Sequence, residues 1–299
     1  RAGAPVSQSG DAAMKRASQQ GMAVINALVL VMAVSIATMG IVQRQSGLAT
    51  QLASERDYMQ ANWLLRGALD WAVLVLRLDS QRSAVTHKGG LWAQALSELK
   101  IETPDKTRAA YFSGYIQDEQ GKFNLALLLR DGRIQARYVQ ALEQLLGSVQ
   151  QEPSLALELA QRLERAQAGQ APWPSHLQDF FPNAAQQAKQ LEPYLSYLPQ
   201  AKSLNVNTAS AQVLAAVQPS VSLVEWQGLL EQRDRGQWFR DQADVQARLQ
   251  RQEALEGQTL SVRSEWFLLS GELRLDHSRV ATQALINRAA DRSRIVWIR

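Results

Sequence analysis

The stretch MAVINALVLVMAVSIATMGIV, residues Met22–Val42, decides the fold, because it is apolar almost throughout and contains no charged residue. At about 1.5 Å per helical residue, its 21 residues reach roughly 31 Å, close to the hydrocarbon thickness of a bilayer. Lys15 and Arg16 precede it and favour a cytoplasmic N-terminus, although Arg44 on the other flank weakens this asymmetry. The segment is therefore predicted to span a membrane once.

The junction before this segment reads KRASQQG and then MAVINALVLV. It resembles the class III signal of type IV pilins and type II secretion pseudopilins. The resemblance implies that a prepilin peptidase cuts between Gly21 and Met22 and that Met22 becomes a methylated N-terminus. Asn26 stands where most such proteins have a glutamate, and this exception resembles the minor pseudopilin family called general secretion pathway protein K. The alternative is an ordinary N-terminal anchor with a fortuitous glycine.

The net charge of +4 and the pI near 9.5 raise the question of a nucleic-acid partner. Residues 1–50 carry four basic and one acidic side chain, 51–260 carry 21 and 23, and 261–299 carry seven and four. A protein that neutralises phosphates concentrates its cations on the binding module, whereas here the surplus lies at the two ends. Nucleic acid is therefore an improbable partner.

Catalytic and metal-binding patterns are missing from the sequence. There is no cysteine, and the chain contains neither HExxH nor GxSxG. His87, His176 and His277 stand in different segments, and the carboxylate pairs Asp118/Glu119 and Asp241/Asp244 do not follow a calcium-loop spacing. We expect no enzyme activity, no cofactor, no metal site and no small-molecule substrate.

The apolar segment leads into a longer helix, because no proline occurs between Pro5 and Pro104 and apolar residues recur at steps of three and four. Its length is expected to be about 55 residues. A short helical segment is expected at 91–100. Two strands, Tyr111–Ile116 and Lys122–Leu125, are expected to form a hairpin that Gly121 closes with a positive φ.

The remaining pattern places a helical block between two sets of strands. Helices are predicted at Ala136–Gly147, Ser154–Ala168 and Ala184–Leu198, and a meander at Trp266–Leu275, Val280–Asn287 and Ile295–Arg299, with turns at 276–279 and 290–293. A break is expected at Thr103-Pro104-Asp105. The fold class is α+β, and the family resemblance implies a pilin-like head with an antiparallel sheet and a large inserted helical domain.

These patterns divide the chain into five parts. They are 1–21 (upstream residues and leader), 22–80 (transmembrane and spine helix), 81–130 (first part of the head), 131–262 (inserted helical domain) and 263–299 (C-terminal strands of the head).

The stretches SLNVNTASAQVLAAV at 203–217 and EQRDRGQWF at 231–239 resemble the tandem helix-hairpin-helix of competence-type DNA-binding proteins. Asn207 or Thr208 is expected to cap a helix that begins near Ala209, and Trp238-Phe239 is expected to lock the second hairpin into the core.

DNA binding by this motif needs free backbone N–H groups in glycine-rich hairpins. The first hairpin here, residues 218–221, contains no glycine, and Pro219 removes one donor. Residues 201–260 carry six basic and seven acidic side chains. A structural role for this segment is therefore favoured over DNA binding.

The resemblance to protein K implies a minor pseudopilin of the type II secretion system. Its partners would be other minor pseudopilins in a tip complex, the major pseudopilin, the prepilin peptidase and the inner-membrane secretion platform. The head would lie in the periplasm on a single-pass inner-membrane anchor. The alternative function is a type IV or competence pilus subunit with a DNA-binding head.

Replacing Gly21 with leucine tests the processing site. We expect Gly21→Leu to leave an uncleaved precursor, because the peptidase must accommodate a small residue at the junction. Mass spectrometry of the protein expressed together with a prepilin peptidase measures the N-terminus. A mature N-terminus at Met22 in the leucine variant would contradict the class III interpretation.

Overall fold

The structure is a computed structural model that describes residues 9–102, 109–198, 200–250, 258–275, 278–289 and 293–299. The chain divides into two compact units, Arg1–Gln60 and Ala61–Arg299. The helices are α1 Ser9–Arg82, α2 Ala136–Ser148, α3 Leu155–Gln167, α4 Ala185–Leu191, α5 Ala211–Val217, α6 Leu223–Asp234 and α7 Gln242–Arg248.

The strands include five that form one antiparallel sheet and several that pair in short two-stranded units. They are β1 Leu96–Glu102, β2 Ala109–Asp118, β3 Phe123–Asn124, β4 Leu129–Arg130, β5 Arg133–Ile134, β6 Leu195–Ser196, β7 Leu204–Asn205, β8 Leu260–Ser261, β9 Trp266–Leu275, β10 Ser278–Arg288 and β11 Ser293–Ile298.

The first unit consists of the N-terminal part of α1. Its apolar side chains are exposed, for example Leu28 at 67% and Ile36 at 65%. Ser35 and Thr38 lie within the apolar run, and their hydroxyls donate to the carbonyls of Val31 (2.7 Å) and Val34 (2.6 Å). By length and composition this helix is able to cross a membrane, and the hydroxyls of Ser35 and Thr38 are satisfied within the helix, as hydrocarbon surroundings require.

The second unit is built on the five-stranded sheet, with strand order β1-β2-β9-β10-β11. One face of this sheet packs on the C-terminal part of α1. Leu65, Leu69, Ala72 and Leu76 form the buried stripe of the helix, as their spacing predicts. Leu69, Ala72 and Leu76 lie in one cluster with Phe267, and Leu65 lies in another with Phe112, so their burial stabilises the packing of the sheet on α1.

The helical block has a hydrophobic core of its own. It runs from Phe123 to Leu260 and includes the fully buried Leu142, Leu159 and Trp226. β2 and β9 are neighbours in the sheet, with Asp118 opposite Phe267, so the chain leaves the sheet after β2 and returns to the adjacent position. The intervening residues therefore form a block between two neighbouring strands.

Several predicted elements are confirmed. α2 and α3 lie within a residue of their expected ends, β9 has the predicted bounds, and β9, β10 and β11 pair in antiparallel order as a meander. Parts of three predicted connections lie outside the described residues, namely the break at Thr103-Pro104-Asp105 and the turns at 276–279 and 290–293.

The predicted hairpin at 111–125 is wrong. β2 ends at Asp118, whose side chain accepts from the Gln120 amide and caps a 3-10 turn at Glu119–Gly121, and the next strand, β3, pairs in parallel with β6. Gly121 has no positive φ. It is needed because a Cβ there would lie 2.6 Å from Thr208 Oγ1 and 2.9 Å from the Thr208 carbonyl carbon.

Two helical predictions are also wrong in part. The segment 91–100 is a short 3-10 turn, Leu91–Ala93, followed by β1, because its side chains cover one edge of the sheet. The helix predicted at Ala184–Leu198 stops at Leu191, and the chain then turns into β6. Pro193 follows directly and cannot donate a helical hydrogen bond.

Candidate functional site

The most polar buried site in the described chain lies where β2 ends. Asp118 Oδ2 accepts hydrogen bonds from Ser264 Oγ (2.6 Å), Thr208 Oγ1 (2.6 Å) and Asn205 Nδ2 (3.0 Å), and its Oδ1 accepts from the Gln120 amide (2.9 Å). Gln120 lies just before the helical block, Asn205 and Thr208 lie inside it, and Ser264 lies just after it. One carboxylate therefore joins both ends of the block to the sheet.

Asn205 extends this site toward the segment that follows α1. Its Nδ2 lies 3.1 Å from the Thr86 carbonyl oxygen and 2.7 Å from Ser264 Oγ, and its Oδ1 accepts from the Asn207 amide at 2.9 Å. The Ser264 amide in turn donates to Thr86 Oγ1 at 3.1 Å. The fully buried Asn205 is stabilised because both ends of its amide are bonded.

A buried ion pair completes the site. Arg288, at the end of β10, lies 3.3 Å from Asp79 Oδ2, and its guanidinium donates to Thr86 Oγ1 (2.7 Å) and to the Ser264 carbonyl (2.8 Å). Asp79 Oδ1 accepts from the Leu91 amide at 3.0 Å. We call the group of Asp79, Thr86, Asp118, Asn205, Ser264 and Arg288 the polar junction.

Burial controls the electrostatics of the polar junction. It raises the pKa of Asp118, and hydrogen bonds from Ser264, Thr208, the Gln120 amide and Asn205 oppose that shift. An acid whose pKa is higher in the folded state stabilises that state at low pH, and this contribution is lost as pH rises through the folded-state pKa. Burial also lowers the pKa of Arg288, and Asp79 opposes this change.

The carboxylates considered as calcium ligands are all engaged within the protein. Glu119 forms a buried ion pair with Lys122; burial raises the pKa of Glu119, and Lys122 opposes the shift. Asp241 caps α7, and Asp244 pairs with Arg248 at 2.9 Å. Among the described residues, no three histidine, aspartate or glutamate side chains group as metal ligands.

The helix-hairpin-helix-like segment has a different cap from the predicted one. Ser210 caps α5, with its Oγ 3.3 Å from the Val213 amide, so neither Asn207 nor Thr208 is the cap. Asn207 instead bonds both backbone groups of Phe239, at 2.8 Å each. The Asn207 side chain is needed for the contact with Phe239, and the Thr208 hydroxyl is needed for the contact with Asp118. The next hydroxyl along the chain, that of Ser210, therefore caps α5.

Trp238 and Phe239 were both predicted to lock the second hairpin into the core, and this prediction is correct for Phe239 only. Phe239 is fully buried in the core of the helical block. Trp238 is only partly buried and stacks on His87, with ring centroids 4.5 Å apart. Trp238 therefore packs the second hairpin onto the segment after α1 and not into the core.

The N-termini of α6 and α7 are occupied by carboxylates of the protein. Ser222 and Glu225 form a capping box on α6, with Glu225 Oε2 2.8 Å from the Ser222 amide, and Asp241 Oδ1 lies 2.8 Å from the Asp244 amide in α7. A carboxylate occupies the place that a phosphate oxygen would take.

The arginines of the segment are also used within the protein. Arg233 is 1% exposed and donates to the carbonyls of Val206 (2.9 Å) and Ala209 (2.7 Å). Arg248 donates to the Gln237 carbonyl at 2.7 Å and pairs with Asp244. These cations hold the loops before α5 and α7 and do not face a ligand.

The predicted processing residues lie in α1. The backbone is helical at Gly21 and Met22, whose side chains are outside the described part, and Asn26 is exposed on the helix. Of the histidines, His87 stacks on Trp238 and His176 contacts Asp179. His277 lies outside the described residues.

Three comparisons with known proteins bear on the family. The family model described as type II secretion system (T2SS), protein K, matches residues 204–263. The type II secretion system protein K of Pseudomonas aeruginosa is 27% identical over 234 residues, which cover 68% of this chain and 69% of that protein. A chain of the crystal structure of the GspK-GspI-GspJ complex from enterotoxigenic Escherichia coli matches with a TM-score of 0.63 and 18% identity, covering 83% of this chain and 98% of that chain.

All three comparisons agree on one family, type II secretion system protein K. The resemblance to protein K is thereby confirmed, as is the α+β, pilin-like fold class. Cleavage between Gly21 and Met22 and the role of Asn26 stay predictions. The residues matched by the family model, 204–263, include Asn205, Thr208 and Arg233. The protein K signature therefore coincides with the segment that fixes the helical block to the sheet.

Two arginines two positions apart give a matched test of the structural role of α6. Arg233→Gln should lower the free energy of unfolding by about 2–4 kcal/mol, because it removes a buried charge with two carbonyl acceptors. Arg235 is exposed and pairs with Glu231 at 3.8 Å, so Arg235→Gln should change the free energy of unfolding by no more than about 0.5 kcal/mol.

Urea unfolding of the detergent-solubilised chain, followed by tryptophan fluorescence, measures both variants. Equally small changes in the free energy of unfolding for Arg233→Gln and Arg235→Gln would show that Arg233 does not stabilise the fold.

Proposed function

We propose that the protein is a minor pseudopilin that caps the pseudopilus tip and helps to initiate its assembly, for export of folded proteins across the outer membrane. The observation that carries the proposal is the combination of a charge-free apolar helix with a sheet-based head that matches protein K over 204–263. A membrane anchor of this kind delivers a head to one side of a bilayer.

The proposed partners follow from the relatives. The matched Escherichia coli structure is a complex of GspK with GspI and GspJ, so we propose that other minor pseudopilins contact this chain. The major pseudopilin, the prepilin peptidase and the inner-membrane secretion platform complete the proposed set. We place the anchor in the inner membrane and the head in the periplasm.

The head is proposed to act by assembly and not by catalysis, and without a cofactor. We further propose that residues 131–262 are an insertion into the pilin-like head. The separate core of the helical block and the adjacency of β2 and β9 support this division.

Asn26 supports the tip position. In an ordinary subunit, a glutamate here can pair with the N-terminal amine of an adjacent subunit, which offsets the cost of a charge in hydrocarbon. Asn26 keeps hydrogen-bonding capacity without the charge, so this chain lacks the electrostatic link to a subunit already ahead of it. A subunit with nothing ahead of it loses little, and we therefore propose that it enters the fibre first.

The competing function, a pilus subunit with a DNA-binding head, is opposed by the occupied helix N-termini of α6 and α7. It is also opposed by the burial of Arg233. The full chain in detergent should not retard duplex DNA at moderate salt. Retardation that is lost on Arg235→Gln or Arg240→Gln would favour the competing function.

Crosslinking tests the tip position, because the chain contains no cysteine and any introduced thiol is unique. Cysteines at Ala27 or Ala37 should crosslink to subunits on the membrane-proximal side only, and the protein should be present at low copy number. In an Asn26→Glu background, which restores the carboxylate, adducts to a subunit on the other side should appear.

Recovery of the protein with asparagine at position 26 at regular intervals along the fibre shaft would contradict the tip assignment.

A further inference from the structure

A cavity of about 760 Å³ lies beside the polar junction, and most of the residues that line it are polar. Its buried floor contains Arg288, Ser264 and Gln120. Its rim contains the exposed side chains of Lys202 and Arg263. Neither the volume nor the lining is explained by the role of the junction in holding the helical block.

The charge of this cavity is unbalanced. Its lining includes three cations, Lys202, Arg263 and Arg288, and one carboxylate, that of Glu265. Arg288 is paired with Asp79. Within the part of the chain that the structure describes, Lys202 and Arg263 have no ion-pair partner.

The two guanidinium groups also repel each other. Burial lowers the pKa of Arg288, Asp79 and Asp118 oppose that shift, and the positive charge of Arg263 adds to the lowering. An anion placed between Arg263 and Arg288 would relieve this repulsion. Hydroxyl and amide groups of the rim would supply further donors; they belong to Ser203, Thr259, Gln81 and Gln200.

We propose that this cavity binds a phosphorylated, hydrophilic small molecule, with its phosphate held by Lys202 and Arg263. Arg288 adds its positive charge from the floor, while its Nη1 and Nη2 groups stay bonded to Leu76, Asp79, Thr86 and Ser264. Guanidinium and ammonium groups together suit a tetrahedral oxyanion, because arginine binds two oxygens with fixed geometry and lysine adds a point charge. The volume is in the range of small-molecule sites and far exceeds a single phosphate, and the polar lining fits a sugar-like remainder.

Occupation of the cavity would stabilise the polar junction, since Ser264 and Arg288 belong to both. A ligand that binds only the folded state raises the melting temperature by mass action. The site is independent of the proposed tip position.

Isothermal titration of the full chain in non-ionic detergent tests the site with inorganic phosphate, glycerol 3-phosphate and glucose 6-phosphate. Glucose 6-phosphate should bind more tightly than inorganic phosphate, and rising salt should weaken it. Arg263→Gln and Lys202→Gln should each weaken binding about tenfold or more, because each removes a charge-assisted contact. Arg235→Gln, an exposed arginine outside the cavity lining, is the matched control and should leave the affinity unchanged.

The three ligands separate the sources of the phosphate. Tightest binding of glycerol 3-phosphate, with the same loss in the rim variants, would support the site and identify a lipid headgroup as its source. Inorganic phosphate binding as tightly as both esters would overturn the assignment to an organic phosphate. The proposal as a whole would be overturned if none of the three ligands bound or if the chain bound duplex DNA alone. It would also be overturned if Arg263→Gln and Lys202→Gln both left the affinities unchanged.

Discussion

The buried carboxylate of Asp118 is the constraint on which the architecture of the head depends. It stands at the point where β2 ends and the chain enters the helical block, and it accepts hydrogen bonds from Asn205 and Thr208 inside the block and from Ser264 just before β9. A carboxylate without these donors would be strongly unfavourable at this depth. The groups that donate to Asp118 must therefore lie close together, and this brings the two ends of the helical block close together as well.

This constraint acts together with a small hydrophobic cluster, in which Leu198 and Ala201 of the block pack with Trp266 and Leu285 of the sheet, to link two larger hydrophobic cores. The first forms between the sheet and α1, and the second lies within the helical block. Gly121 permits the close approach to Thr208 that the contact needs. The segment that matches the protein K model is thus the part of the block that meets the sheet, and its helix-hairpin-helix-like pattern has a buried arginine, Arg233, and carboxylate caps on α6 and α7.

The sequence predicted the elements that depend on local pattern. α2, α3 and the strands from Trp266 onward were recoverable because their apolar spacing and their turns are local. The false hairpin at 111–125 shows the limit, since the partner of β3 is Leu195–Ser196, about seventy residues away, and no local pattern reports that pairing. The polar junction was missed for the same reason. Asp79 and Arg288 are 209 positions apart. Asp118 stood out only as one of a carboxylate pair, and within SLNVNTAS the helix cap was assigned to Asn207 or Thr208, so no local pattern pointed to Asn205.

A double-mutant cycle between Asp118 and Asn205 tests the central claim, that one buried carboxylate fixes the helical block to the sheet. The account predicts that Asp118→Ala and Asn205→Ala each destabilise the folded chain and that the double variant loses less than the sum. The coupling free energy in urea unfolding should be about 1–3 kcal/mol. Additive effects of the two substitutions would contradict the account.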